Sequence, residues 1–226
     1  MHDVHPLIDV PDTSADTLTG MSTPSGRFSA RDLALVAVFA ALLAALGLPG
    51  SFALPISGVP VTAQTLGVML AGSVLGARRG ALAMVTFLVL VAAGLPLLAP
   101  SAVRPQGGLA VFTSITAGFL IAWVPAAWVI GKLVEMRPAR FPLGWIVLAN
   151  IVGGVVVVYA IGVPIQAWVG GLPLTKALLG TVAFLPGDAV KVAVSAVVTA
   201  GVLRGYPGIV PDRRHRPEPQ DAGTAR

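Results

Sequence analysis

The chain of 226 residues is 55% hydrophobic and only 11% charged. A soluble domain has about 25% charged residues, so this chain lacks the charge to cover a water-facing surface of its size. The absence of Cys excludes disulfides, thiolate metal sites and a Cys nucleophile. The three histidines, His2, His5 and His215, lie in polar stretches, so no metal or catalytic histidine site is predicted. The net charge of +5 is spread between apolar segments, which argues against a nucleic-acid partner.

Six apolar stretches, separated by Gly, Pro or basic residues, predict an all-α membrane protein with six transmembrane helices. About 20 apolar residues cross a bilayer as a helix, and the shorter stretches fit with local thinning of the bilayer. A further apolar stretch, residues 173–185, is short for a span and carries Lys176, so it is interpreted as an interfacial or re-entrant helix. The predicted spans are residues 31–46, 61–75, 80–95, 110–130, 142–163 and 186–203.

The basic residues predict the orientation of these spans. They cluster before the first span and after the second, fourth and sixth, whereas the alternate loops carry only Arg104 and Lys176. Because cytoplasmic loops carry an excess of Lys and Arg, both termini are predicted to be cytoplasmic. The polar tails, residues 1–28 and 207–226, are predicted to be disordered. Residues 29–206 are then predicted to form a six-helix domain in the cell membrane.

Two ionisable residues stand out inside the predicted spans, Asp188 and Lys191. A charged residue in a membrane costs roughly 2.5–3.5 kcal/mol on insertion scales and marks a functional site by default. Their spacing places both on one helix face, and Pro186 suits a helix start, so Asp188 lies in a first turn, where the helix dipole favours a carboxylate. The pair is either a structural ion pair or, as we favour, a ligand site open to the outer side.

Two Gly- and Pro-rich loops on the predicted outer side are candidates to complete such a site. Residues 48–60 lead into the second span, and residues 100–108 end in two glycines that allow close approach of backbone to a ligand. Either loop is otherwise an ordinary connector. The candidate substrate-binding residues that these segments add are Gln64, Gln106, Gly107 and Gly108.

A strip of alanines follows the first predicted span at near four-residue spacing. Small residues let helices approach closely, so the strip is either a packing face within the bundle or a docking face for a separate membrane subunit. Its members are Ala30, Ala34, Ala37, Ala41 and Ala45, of which Ala37, Ala41 and Ala45 are the candidate docking residues.

Sequence motifs of enzymes are missing from the chain. It contains no Walker A, HExxH or GxSxG pattern and no paired catalytic carboxylates. We therefore predict that the chain is not an enzyme, has no catalytic residues and does not itself bind ATP.

Three stretches resemble the BioY family, the biotin-specific substrate-capture (S) components of energy-coupling-factor (ECF) transporters. The first is VPVTAQTLG at residues 59–67, which continues through residues 70–81. The second is AGLP at residues 93–96 with QGG at residues 106–108. The third, FLPGDAVK at residues 184–191, is similar to the family's PGDxxK motif. The resemblance covers about residues 31–204.

The resemblance implies a six-helix S-component bundle that binds biotin at the extracellular side, under the first loop. The family's motif implies ligand contacts from Asp188 and Lys191. Gln106 stands where the family often has Asn. In the fourth span, residues 115–119 lack the family's Pro and Tyr, and Leu120 stands where some members carry Arg. The resemblance therefore implies no contact to the biotin carboxylate from that helix.

The chemistry of biotin fits these residues. Asp188 can accept hydrogen bonds from the ureido N–H groups, and Lys191 can serve either the ureido carbonyl or the carboxylate, a choice that stays open. The implied partners are a membrane coupling subunit and two ATPases, which use ATP on other chains, and this chain carries no cofactor. Whether it forms a homo-oligomer is open. The alternatives are an S component for another vitamin or a biotin precursor, and a membrane scaffold without a ligand.

Overall fold

The computed structural model describes residues 28–53, 60–136, 142–206 and 209–210. Most of these residues are helical, and every predicted span contains a helix. The helices are α1 (Ala30–Ala45), α2 (Gln64–Leu75), α3 (Ala77–Ala92), α4 (Ala117–Glu135), α5 (Leu143–Ile151), α6 (Val158–Val169), α7 (Leu174–Val182) and α8 (Leu185–Gly205).

Short irregular elements interrupt this helical plan. Two three-residue strands, β1 (Ser51–Ala53) and β2 (Pro60–Thr62), pair antiparallel in the first loop, where no strand was predicted. The fourth predicted span is wrong at its start, because residues Leu109–Thr113 form a separate 3-10 helix before α4. The fifth predicted span ends too early, since α5 continues through a π-helical segment, Val152–Val157, into α6.

The lengths of the helices divide them into two groups. Three helical runs in the described residues are long and apolar enough to cross a membrane: Ala117–Glu135, Leu143–Val169 and Leu185–Gly205. α1 and α3 have 16 residues each and α2 has 12. At 1.5 Å per residue, these shorter helices are about 18–24 Å long. The apolar helices confirm a membrane protein.

Helix ends follow local chemistry. Ser29 and Asp32 form a capping box at the start of α1, in which the Asp32 N–H donates to Ser29 Oγ at 3.2 Å and the Ser29 N–H donates to Asp32 Oδ2 at 2.9 Å. Gly76 separates α2 from α3 at a φ of 80°, a conformation that suits only glycine well. Glu135 at the end of α4 accepts the N–H of Ala77 at 2.8 Å and so caps α3.

The second helix lies at the centre of the bundle. Ten of its 12 residues are buried, and it packs against α3, α4 and α8. Glycines permit this proximity: a Cβ at Gly72 would overlap the backbone of Ala127, and one at Gly131 would overlap the Gly76–Ala77 turn. Small residues therefore mediate close helix packing in this bundle, as the sequence indicated.

A neutral polar cluster joins three helices in the bundle interior. Asn150 Oδ1 accepts from Ser73 Oγ of α2 at 3.2 Å and from Ser195 Oγ of α8 at 3.3 Å. Asn150 Nδ2 donates to the carbonyl of Ile146 at 3.0 Å. All three side chains are fully buried. We call Ser73, Asn150 and Ser195 the neutral trio.

An ion pair between α1 and α3 lies at one end of the bundle. Arg79, near the start of α3, pairs with Asp32 of α1 at 2.7 Å and donates to the carbonyl of Ile209 at 2.8 Å, beyond the end of α8. α8 has 21 residues, so its first turn lies about 30 Å away. Arg79 therefore marks the end opposite to Asp188. Most of the two predicted tails falls outside the described residues.

Candidate functional site

A cavity opens where α8 begins. It contains about 600 Å³ of empty space, including its open mouth. Its walls come from β2, from several helices and from the loop between α3 and α4. The lining residues are Val61, Thr62, Thr65, Arg104, Thr116, Phe119, Leu120, Trp123, Gly154, Val158, Tyr159, Phe184, Asp188 and Lys191.

A charged network forms the polar wall of the cavity. Lys191 Nζ donates to Asp188 Oδ1 at 3.0 Å and to Thr65 Oγ1 at 2.8 Å. The Tyr159 hydroxyl donates to the other carboxylate oxygen, Asp188 Oδ2. We call these four residues the cavity network. It joins α2, α6 and α8, whereas the neutral trio joins α2, α5 and α8 at a lower level; α5 and α6 belong to one helical run, Leu143–Val169.

Local structure explains why the charged pair lies here. Pro186 occupies the first turn of α8, where it needs no backbone hydrogen bond. Asp188 follows in the same turn, so the helix dipole stabilises its carboxylate. The side chains of Asp188 and Lys191 are only 8% and 14% exposed. Because the pair is so buried, its hydrogen bonds are made chiefly within the cavity network. Both side chains face the cavity rather than lipid.

A second wall of the cavity is apolar and aromatic. Phe119, Leu120 and Trp123 of α4 line it, and Leu120 and Trp123 are almost fully buried. The ring of Phe119 meets that of Tyr159 edge to face, with centroids 6.5 Å apart. A Cβ at Gly162 would overlap the Phe119 ring, so this glycine makes room for it. The cavity thus combines one polar wall with a surface suited to an apolar ring or chain.

The loop between α3 and α4 contributes a second cation, Arg104. Arg104 is 8% exposed, and its Nη1 donates to the carbonyl of Pro105 at 3.2 Å. Burial lowers the pKa of Arg104 to about 10, which still leaves it charged at neutral pH. Arg104, Lys191 and Asp188 are the charged residues among the described residues of the lining, so two positive charges and one negative charge give this lining a net charge of +1.

The other predicted substrate-binding residues do not line the cavity but hold the loop that contributes Arg104 to it. Gln64 is fully buried and does not line the cavity. Its Nε2 donates to the carbonyl of Leu97 at 3.1 Å and its Oε1 accepts the N–H of Ala99 at 3.1 Å. It also donates to the carbonyl of Leu43 at 3.3 Å. Gln64 therefore fastens the loop after α3 to α1 and α2.

Gln106, Gly107 and Gly108 also hold this loop through backbone contacts. The carbonyl of Gln106 accepts from Leu98 at 3.1 Å, and Gly108 donates to Val91 at 2.7 Å. A Cβ at Gly107 would overlap the backbone of Leu95. These residues fold the loop that carries Arg104 onto the end of α3, and none of the three lines the cavity.

Sequence reasoning missed Tyr159, Thr65 and Arg104 as site residues. Tyr159 is one of two Tyr in the chain, and a phenol inside an apolar span is a polar signal that was available. Arg104 is one of two basic residues in the loops that were predicted to face outward, which was also a usable signal. Thr65 lies in the stretch at residues 59–67 that resembles the family, but nothing in that stretch distinguishes it from Thr62 as a partner of Lys191.

The alanine strip of α1 lies on the outside of the described bundle. Ala37, Ala41 and Ala45 are exposed, while Val36 and Leu43 are buried against the neighbouring helices. Ala30 and Ala34 are exposed as well. The strip therefore does not mediate packing within the described part of the chain.

Comparisons with known proteins agree on one family. The model of the BioY family matches residues 19–208. The chain is 48% identical to the biotin transporter BioY of Rhizobium etli, over 79% of this chain and 96% of that protein. It is 42% identical to the biotin transporter BioY of Rhodobacter capsulatus, over 78% and 95% of the two chains.

A solved structure has a similar fold. It is the crystal structure of the S component for biotin from an ECF-type ABC transporter. The TM-score is 0.73 at 26% sequence identity, over 77% of this chain and 91% of that chain.

Proposed function

The chain belongs to the BioY family, and from this premise we propose that it takes up biotin as the S component of an ECF-type transporter. It acts as a transporter component rather than an enzyme. The observation that carries the proposal is the cavity network, whose buried charged pair lines an otherwise largely apolar cavity. A buried charged group facing a cavity at membrane depth is expected to serve a ligand.

Biotin matches the cavity group by group. Its ureido N–H groups are donors for the Asp188 carboxylate, and its ureido carbonyl is an acceptor for Lys191. Its thioether ring and valeryl chain suit the wall formed by Phe119, Leu120 and Trp123. Its single carboxylate complements the net charge of +1 of the lining. A cationic vitamin such as thiamin does not suit this charge balance.

The proposed topology has six membrane crossings, both termini in the cytoplasm and the cavity open to the outside of the plasma membrane. Arg79 and its partners lie at one end of the bundle and Asp188 at the other, which suits this orientation. Because the chain has no Cys, single Cys substitutions test it directly. An impermeant thiol reagent added to intact cells is expected to label Val103→Cys and not Arg78→Cys, and the reverse pattern would invert the topology.

The coupling subunit is proposed to dock on the alanine strip of α1. Ala37, Ala41 and Ala45 are exposed there, and small side chains let a partner helix approach closely. ATP is used by two ATPases on other chains. Replacing Ala41 with Trp is expected to leave biotin binding intact and to abolish uptake that depends on the coupling subunit. Undiminished coupled uptake would place the docking face elsewhere.

Binding by the purified chain tests the proposal. Labelled biotin is expected to bind and to be displaced by unlabelled biotin, while thiamin and riboflavin do not compete. Dethiobiotin shares the ureido group and the carboxylate, so its competition measures how much the thioether ring contributes. Displacement by thiamin or riboflavin, with weak binding of biotin, would indicate an S component for another vitamin. No binding of any of these compounds would indicate a scaffold.

A further inference from the structure

Arg104 is a buried cation without a carboxylate partner among the described residues. It is 8% exposed, and within the described ranges it makes one hydrogen bond, to the carbonyl of its neighbour Pro105. A guanidinium has five N–H donors, so most of them have no partner among the described residues and are available to a ligand in the cavity that Arg104 lines. Burying a charge in this way is costly unless an opposite charge pairs with it.

The carboxylates in the described part of the chain are all occupied elsewhere. Asp32 pairs with Arg79. Glu135 accepts the N–H of Ala77. Asp188 pairs with Lys191 and accepts from Tyr159. The remaining acidic residues belong to residues 1–27 and 211–226, outside the described ranges.

The charge balance of the cavity distinguishes its two cations. Lys191 is neutralised by Asp188 at 3.0 Å and also donates to Thr65. Arg104 is the source of the surplus positive charge. A ligand carboxylate near Asp188 would meet a like charge, which is unfavourable, whereas a guanidinium presents a fork of donors that matches a carboxylate.

We propose that Arg104 binds the carboxylate of the ligand, while the ureido group lies against the cavity network. This inference rests on the proposed function, because it assigns the two ends of a ureido-containing monocarboxylate to two separate polar groups that line one cavity. The sequence left open whether Lys191 binds the ureido carbonyl or the carboxylate. If Arg104 binds the carboxylate, Lys191 binds the ureido carbonyl.

The surroundings of the loop support this role. Gln64 ties the loop to α1 and α2 through the backbone of Leu97 and Ala99, and Gly108 ties it to Val91 at 2.7 Å. The backbone on both sides of Arg104 is therefore fixed. Gln64 is a positioning residue in this account, since it acts on the ligand only through the loop.

The experiment compares biotin with biotin amide, which keeps the ureido ring and lacks the negative charge. The affinity of each ligand is measured by calorimetry for the wild-type chain, Arg104→Gln and Arg78→Gln. Arg78 is exposed and does not line the cavity, so it is a control for the same change of charge. The wild-type chain is expected to prefer biotin over the amide by about 10- to 100-fold.

Arg104→Gln is expected to lose that preference, binding biotin about as weakly as the amide, while its affinity for the amide stays unchanged. Retained amide binding also shows that the variant is folded. Arg78→Gln is expected to behave as the wild-type chain does.

Two results overturn the inference and leave the proposed function standing. In one, the wild-type chain binds biotin and its amide equally, a comparison that needs no variant. In the other, Arg104→Gln keeps the full preference for biotin. A wild-type chain that binds neither ligand contradicts the proposed function itself.

Discussion

The cavity network and the neutral trio join the same helical regions at two levels. Thr65 and Ser73 lie about two turns apart on α2, and Lys191 and Ser195 lie one turn apart on α8. Tyr159 and Asn150 flank the π segment. The upper cluster is charged and lines a cavity, whereas the lower cluster is neutral and fully buried.

This difference separates a binding role from a structural one. The neutral trio meets its hydrogen-bonding needs internally, so it contributes to stability and to the register of three helices. The cavity network carries an ion pair that is costly in a membrane and that a packing role alone does not require. Polarity inside a span is therefore informative about function chiefly when it is charged and opens on a cavity.

The largest expected effect is on the charged pair. Asp188→Ala and Lys191→Ala each remove a ligand contact and leave the partner charge buried and unpaired, so the affinity for biotin is expected to fall by about 100-fold or more. Calorimetry on the purified variants measures this loss, with Arg78→Gln as the exposed control. Unchanged affinity in both variants would show that Asp188 and Lys191 form only a structural ion pair, and that the cavity network and the neutral trio do not differ in role.

A smaller loss is expected at Tyr159. Tyr159→Phe keeps the ring against Phe119 and removes the hydroxyl that donates to Asp188. A hydrogen bond to a charged group contributes about 1.5–3 kcal/mol, part of which water or ligand can replace, so affinity is expected to fall by about 10-fold. Equilibrium binding of labelled biotin measures it. A loss as large as that of Asp188→Ala would mean that Tyr159 itself contacts the ligand.

Asn150→Ala is expected to change stability instead. The substitution leaves the hydroxyls of Ser73 and Ser195 without their shared acceptor. The expected destabilisation is about 1–2 kcal/mol, seen as a lower midpoint of thermal unfolding in detergent, while the Kd for biotin stays unchanged. A weaker Kd without loss of stability would place the trio in the binding machinery.

The smallest effect is expected for Ser195→Ala. It removes one donor from the trio and leaves the Asn150 side chain with two partners. Hydrogen bonds between membrane helices average about 0.6 kcal/mol, so only a slight shift of the unfolding midpoint is expected. A shift greater than that of Asn150→Ala would contradict the view that Asn150 is the hub of the trio.

The sequence predicted the helical membrane fold and singled out the charged pair that lines the cavity, for a physical reason. Charges inside apolar spans are rare, so Asp188 and Lys191 stand out without any knowledge of three-dimensional neighbours. The breaks near residues 114–116 and at the π segment were missed, because hydropathy averages over a window and is insensitive to which backbone hydrogen bond forms.

The rest of the site depends on tertiary contacts. Gln64 was predicted to meet the ligand, but the structure uses it to satisfy backbone groups of a loop that would otherwise lack partners. Arg104 lines the cavity only because that loop folds over the end of α3. No pattern along the chain indicates which loop returns to which helix, so these positions required the structure.

The central claim is that biotin binds at the cavity network, and a side-by-side biotin titration of the wild-type chain, Asp188→Ala and Asn150→Ala tests it most directly. Both variants alter a buried polar cluster that joins the same helical regions, so general disruption would affect them alike. Wild-type affinity is expected in Asn150→Ala, and an affinity lower by about 100-fold or more is expected in Asp188→Ala, whose fold is verified by its unfolding transition. Wild-type affinity in Asp188→Ala, or no binding by the wild-type chain, would contradict the account.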